Sequence, residues 1–350
     1  MDNKKTIAYK KILVINLGGI GDMLLSLPAM KALRAGFPES QISILVVPRV
    51  LGSLKELLPV DNVYVFYKNY SLLGFLKSIV TILMLRGKHF DLAINMRTLV
   101  SKKSAEKIKA LLYIINPKVK VGRNTANRGE FFDLKIPEAD PGDRYEMEYC
   151  IDIVGALGIK VFDRNIDLKV EEQPNAAIKK LLVKELVRDD DILIGIHPGG
   201  SSSRRWPIKN FSSLINDLAK RMGCVFIITG NKDEHSLAAG IKKAAHAKVI
   251  DCSGKLNFKE LTALIKRCNL FISNDTGPMH IAAILGVPLI AIFGPGYLKN
   301  FDPRNISNRA LVLQKPADCA PCNKLYCNSM ACLTTILPEE VVKAALDLLK

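Results

Sequence analysis

KILVINLGGIGDMLLSLPAMKALRAG, residues 11–36, holds the grammar of the whole chain. The β-branched run 11–17 reads as a buried strand, Gly18, Gly19 and Gly21 as a tight turn, and 22–36 as a helix by the spacing of its apolar positions. Strand, glycine turn and helix open a βαβ unit. The pattern continues with strands at 42–47, 63–67 and 92–95 and an apolar helix at 71–86, so the sheet is expected to be parallel with helices on its faces.

The grammar restarts after a polar stretch at 170–175. A helix at 176–187 precedes strands at 192–197, 224–229, 248–251, 270–273 and 288–293, separated by helices at 210–221, 234–245, 258–268 and 278–285. The expectation is an α/β protein with two Rossmann-like, doubly wound domains facing across a cleft. Residues 1–172 form the first, 173–337 the second, and an amphipathic helix closes the chain within 338–350. Such sheets bind ligands beyond the carboxyl ends of their strands.

Lys and Arg outnumber Asp and Glu by 50 to 34 among 350 residues, a net charge of +16, which points to anionic partners. The basic residues are scattered through periodic segments, and no zinc-finger spacing or RNP motif accompanies them, so nucleic acid is not the expected partner. Residues 1–11 lack the apolar core of a signal peptide, the expectation for a cytoplasmic chain. The longest apolar run, 71–85, is shorter than the ~20 residues that span a bilayer. It reads as a buried core helix, with a membrane-surface helix as the alternative.

Three strand-to-helix junctions carry the chemistry. Gly19 and Gly21 could turn backbone N–H groups toward an anion, and Asp22, at the expected first position of the helix, is either an N-terminal cap or a general base. The loop after 192–197, HPGGSSSRRWP (197–207), joins Gly199 and Gly200 to Arg204 and Arg205, a combination suited to phosphate oxygens, with Trp206 as a packing anchor. After 270–273 come Asp275, Thr276, Gly277 and His280, where a helix N-terminus could face a diphosphate. The run Asp189-Asp190-Asp191 spells D-x-D but precedes a strand, so no metal is expected there. A dinucleotide site is also not expected, because G-x-G-x-x-G and its ribose-binding acid are missing.

Taken together, LGGIGDMLLSLPAMKALRAGFP (17–38), HPGGSSSRRWPIKNF (197–211) and SNDTGPMHIAAILGVPLIAIFGP (273–295) resemble glycosyltransferase family 9, the ADP-heptose:lipopolysaccharide heptosyltransferases. The resemblance implies a GT-B fold, an inverting transfer without metal ion or cofactor, and a phosphorylated lipid A/core oligosaccharide as acceptor. The net charge of +16 suits peripheral contact of a cytoplasmic chain with the anionic inner face of a membrane. The resemblance also implies Asp22 as catalytic base. It implies Gly199, Gly200, Arg204, Glu234, Asp275, Thr276, Gly277 and His280 on the ADP-heptose donor, with Arg204 where the family usually has lysine. Gly19, Gly21 and Arg128 fall to the acceptor, although Asn95-Met96-Arg97-Thr98 replaces the family's usual D-x-Q-G and Lys102 and Lys103 are offset from its lysine. A transferase of the same fold using another nucleotide sugar, or a noncatalytic sugar-nucleotide-binding protein, are the alternatives.

Cys150, Cys224, Cys252 and Cys268 read as small core residues. Cys319, Cys322, Cys327 and Cys332 are clustered in sequence, and structural thiols or disulfides, a metal and a redox role all stay open for them.

Overall fold

The computed structural model describes residues 9–67, 71–322, 324 and 326–350; residues 1–8, part of the polar N-terminal stretch, lie outside these. The chain divides into two compact units, one ending at Ile166 and the other starting at Asp167.

The first unit runs β1 (Lys11–Asn16), α1 (Ile20–Gly36), β2 (Gln41–Val46), α2 (Pro48–Leu54), β3 (Asn62–Val65), α3 (Leu72–Arg86), β4 (Leu92–Asn95), α4 (Lys102–Ile115), β5 (Val119–Thr125), β6 (Leu134–Glu138) and α5 (Glu146–Gly155). Its six strands are ordered β3-β2-β1-β4-β5-β6, and every described pairing is parallel, Ile12 lying opposite Ile42 on one side and Leu92 on the other. Leu13, Ile15, Leu45 and Ala93 project into a core closed by Leu85, Leu112 and Ile115, residues of α3 and α4. Their near-continuous β-branched and leucine character follows from helices covering both faces of the sheet.

The second unit runs α6 (Glu172–Lys184), β7 (Ile192–His197), α7 (Ile208–Arg221), β8 (Cys224–Ile228), α8 (His235–Ala244), β9 (Val249–Asp251), α9 (Phe258–Arg267), β10 (Leu270–Asn274), α10 (Gly277–Ile284), β11 (Leu289–Phe293), α11 (Leu298–Phe301), β12 (Ala310–Gln314), α12 (Ala331–Thr334) and α13 (Pro338–Leu348). The sheet order is β12-β11-β10-β7-β8-β9, again wholly parallel among the described pairings. Counted from the first strand of each unit, both sheets read 3-2-1-4-5-6, so the direction of winding reverses between β1 and β4 and between β7 and β10. The last helix belongs to this unit: Val341, Val342 and Ala345 complete the core built on Ile194, Ile196, Phe226, Ile272 and Ile292.

Three local expectations need correction. The apolar run 71–85 does form a helix, but only Gly74, Ser78 and Leu85 of α3 are buried, and most of its large apolar side chains face outward. It is not a core helix. Asp22 is the third residue of α1, not its first. Helix α6 starts at Glu172, four residues before the expected start. No described helix is long and apolar enough to cross a membrane.

All eight cysteines are free thiols, and among the described residues no three His, Cys, Asp or Glu side chains are arranged to hold a metal ion. Burial pushes the thiols of Cys150 and Cys268 up to about 12, and those of Cys224 and Cys252 up to about 11. Thiolate is the reactive form. Brief iodoacetamide treatment of the native protein at pH 8, read by peptide mass spectrometry, is therefore expected to alkylate exposed Cys319 and spare Cys150 and Cys268, with all eight labelled in urea.

Candidate functional site

In the first unit the expected residues gather at the carboxyl ends of β1, β4 and β5, three adjacent strands. Asp22 is held on two sides. Its Oδ2 accepts the backbone N–H of Gly19 at 2.6 Å, and its Oδ1 accepts from the guanidinium of Arg97, which follows β4. The capping reading is thus part of what the carboxylate does, while its side chain stays 17% exposed and reachable. Gly21 lies in the same first turn of α1. Arg128, in the turn after β5, donates Nε–H to the carbonyl of Leu99 at 2.6 Å and so lies against the segment that begins with Arg97. Lys102 and Lys103 open α4 and are exposed.

Behind Asp22 stands a polar ladder that the sequence reading did not single out. Arg97 Nη1 donates to Glu146 Oε1 at 2.8 Å; Glu146 Oε2 lies 2.7 Å from Arg123 Nη2, and Arg123 Nη1 is 3.4 Å from Glu138 Oε1. The hydroxyls of Thr98 and Thr125 donate to Glu138. Arg123, Glu138 and Glu146 are all buried, with Arg123 stacked 4.4 Å from the Tyr149 ring centroid. Burial drives the Glu146 carboxyl above its ordinary range, with Arg123 and Arg97 opposing that drift. For Arg97, burial works against the charge, but Asp22 and Glu146 more than offset it and the guanidinium is held above its ordinary value. An arginine in the middle of β5, next to Val121 and Gly122, was the available signal, since a buried charge requires partners of opposite sign.

In the second unit the loops after β7, β8 and β10 meet, again on adjacent strands. Glu234 is 5% exposed and accepts the N–H of Gly200 at 2.7 Å on Oε1 and that of Asn231 at 2.9 Å on Oε2, which ties the β8 loop to the β7 loop. A Cβ on Gly199 would lie 2.3 Å from Glu234 Oε1, and Gly200 has φ +121°, so this close approach needs both glycines. Arg204 Nη1 donates to Asp275 Oδ2 at 2.7 Å. Asn274 Nδ2 donates to the carbonyls of Pro198 and Gly199 at 2.9 and 3.1 Å, and its Oδ1 accepts the N–H of Trp206 at 3.2 Å. Trp206 is the packing anchor expected of it: 1% exposed, edge-on to Phe211 at 4.9 Å, with Nε1–H donating to the Ile336 carbonyl.

Thr276 is the N-cap of α10 and Gly277 its first residue, so the first N–H groups of that helix open beside Asp275. His280 sits one turn further, 2% exposed and edge-on to Phe301. The acidic run 189–191 is a turn whose carboxylates pair with Arg188 and Arg267.

The sequence profile of glycosyltransferase family 9 (heptosyltransferase) matches residues 82–332. The chain is 27% identical over 339 residues to lipooligosaccharide heptosyltransferase 2 of Campylobacter jejuni, spanning 95% of this chain and 96% of that protein. Its fold is similar to the crystal structure of a family 9 glycosyl transferase from Veillonella parvula, with TM-score 0.75, 24% identity and 99% of each chain covered. It is also similar to the E. coli heptosyltransferase WaaC with ADP-2-deoxy-2-fluoro heptose, with TM-score 0.65, 19% identity, and 96% of this chain and 99% of that one covered. Two Rossmann-like units of this kind in one chain make the GT-B fold.

Two outcomes follow from the geometry. Glu146→Ala leaves Arg123 and Arg97 short of a buried partner, so urea unfolding should show a loss of about 3–5 kcal/mol. The second concerns His197, whose Nδ1 is 3.0 Å from Thr229 Oγ1; burial keeps its imidazole below the ordinary value despite the nearby Glu234. The unfolded chain takes up that proton near pH ~6.5 and the folded chain does not, so this site should cost stability as pH falls below that point. The drop in melting temperature between neutral and mildly acidic buffer should shrink in His197→Asn.

Proposed function

Since the chain belongs to glycosyltransferase family 9, we propose that it transfers heptose from ADP-heptose to a lipopolysaccharide inner-core acceptor, with inversion and without a metal ion. That it is a glycosyltransferase follows from the family. The observation that carries the finer reading is the pairing of one reachable carboxylate, Asp22, at the winding reversal of the first unit with a loop rich in N–H groups and a guanidinium at that of the second. Donor and acceptor chemistry are supported by the Campylobacter relative's name and by the ADP-heptose analogue bound to the E. coli neighbour.

In this mechanism Asp22 takes the proton of the acceptor hydroxyl as its oxygen attacks the anomeric carbon. An ionised carboxylate offers about four lone-pair sites, so the bonds from Gly19 and Arg97 leave room for that hydroxyl and hold the carboxylate in one orientation. The bond from the sugar to the diphosphate breaks on the opposite face, which inverts the centre, and its electron pair goes to the departing phosphate oxygen. Arg204, the N–H groups around Gly199 and Gly200, and the start of α10 at Thr276 and Gly277 spread that charge, the task a divalent cation performs in other transferases. Asp275 positions Arg204, and Glu234 shapes the loop while presenting a carboxylate toward the donor's ribose; His280 supports α10 from within. On the acceptor side Gly19, Gly21, Arg128 and Arg97 meet the phosphorylated core. The free thiols suit a reducing compartment, and we place the reaction in the cytoplasm.

The test is transfer from ADP-heptose to lipid A carrying an inner core, in EDTA. Wild type should turn over, and Asp22→Asn should lose about 10²–10⁴-fold in kcat with donor affinity retained. Equal turnover by both removes Asp22 as the base. Donor binding without transfer by wild type means another acceptor or a noncatalytic protein, and turnover only with another nucleotide sugar changes the donor.

A further inference from the structure

Helix α3 is built inside out. A surface helix ordinarily turns its apolar stripe to the core, yet the buried side of α3 is made of Gly74, Ser78 and Leu85. The two small residues let the helix lie close to the sheet, and Ser78 fastens it there, its Oγ accepting the N–H of Tyr67 at 3.0 Å and donating to the Tyr67 carbonyl at 3.1 Å. The outer side carries Leu72, Leu73, Phe75, Val80, Leu83 and Met84, each more than half exposed. At 3.6 residues per turn these cover roughly half the circumference. Beside them a groove of about 360 Å³ is lined by Val65, Tyr67, Leu76, Lys77, Val80 and Thr81.

The charges around this face are predominantly positive. No acidic residue occurs in α3; Lys77 lies at the groove, Arg86 and Lys88 at the helix end, and the neighbouring α4 adds four lysines against the single Glu106. Arg86 Nη1 donates to the carbonyl of Ile114 at 2.7 Å and joins the two helices into one surface. Exposed Val100 and Tyr113 extend the apolar area onto the segment before α4 and onto α4 itself.

We propose that the α3–α4 face is a membrane-docking surface whose partner is an anionic lipid bilayer. A bilayer matches both features: its acyl boundary takes the apolar half of α3, and its anionic headgroups meet the lysines and arginine at the rim. A second copy of the chain would set the same cations against each other. The inference does not rest on the transfer reaction and goes beyond it.

Vesicle flotation of the full chain, with no nucleotide and no glycolipid acceptor present, tests it. The wild type should float with phosphatidylglycerol/phosphatidylcholine vesicles and release at high salt, and pure phosphatidylcholine should retain little. Phe75→Ser/Leu83→Ser and, separately, Lys107→Glu/Lys109→Glu should each lower partitioning about tenfold or more, while keeping the wild-type melting temperature and ADP affinity. Absence of flotation, or flotation unchanged in both variants, overturns the proposal. So does a wild-type dimer in sedimentation velocity that Phe75→Ser/Leu83→Ser dissolves, because a second copy then covers the face. Transfer to a detergent-dispersed acceptor, measured on the same variants, reports on the catalytic reading independently.

Discussion

In each unit an aspartate and an arginine meet across the place where the sheet changes its direction of winding. Asp22 follows the first strand and Arg97 the fourth; in the second unit the order is mirrored, with Arg204 after the first strand and Asp275 after the fourth. At such a point the two loops depart to opposite faces and leave a gap that the sheet itself does not fill. An ion pair spanning the gap fixes both loops with respect to the strands. The capping of Gly19 by Asp22 and the placement of α10 beside Asp275 are set by these pairs.

The two pairs are backed differently, and the difference separates their chemistry. Behind Asp22 is a ladder of acidic and basic side chains, Arg97, Glu146, Arg123 and Glu138, sunk into the unit. Charged groups held in a low-dielectric surrounding interact strongly, which suits a site where a proton changes hands. Behind Arg204 the fastening is done by amide and carboxylate contacts to backbone, from Asn274 to Pro198 and Gly199 and from Glu234 to Gly200 and Asn231. That arrangement fixes a loop whose backbone faces the site, which suits a ligand recognised through phosphate oxygens.

The alternation of strand and helix was legible because strands buried on both faces are written in near-continuous apolar runs rich in Val, Ile and Leu, as in β1, β7, β8 and β11. Strands β5, β6 and β12 were not legible. The first two carry Lys, Arg, Pro and Glu, β6 and β12 sit at sheet edges, and Arg123 is tolerated in β5 only because two glutamates from distant segments reach it. The glycine-rich junctions could be read as strand-to-helix turns from local spelling alone. Glu146 could not, since its partners stand 49 and 23 positions away. Helix α3 was misjudged for another reason: hydrophobicity says that a face must be covered, and not by what.

Arg97 stands where related sequences were expected to have an uncharged glutamine, and it bridges Asp22 to the buried Glu146. The two positions are therefore coupled. Removing Glu146 alone turns two arginines, 97 and 123, toward the same interior space, whereas removing Arg97 alone leaves the Glu146 carboxylate on Arg123, so the cost of losing both is not the sum of the separate losses.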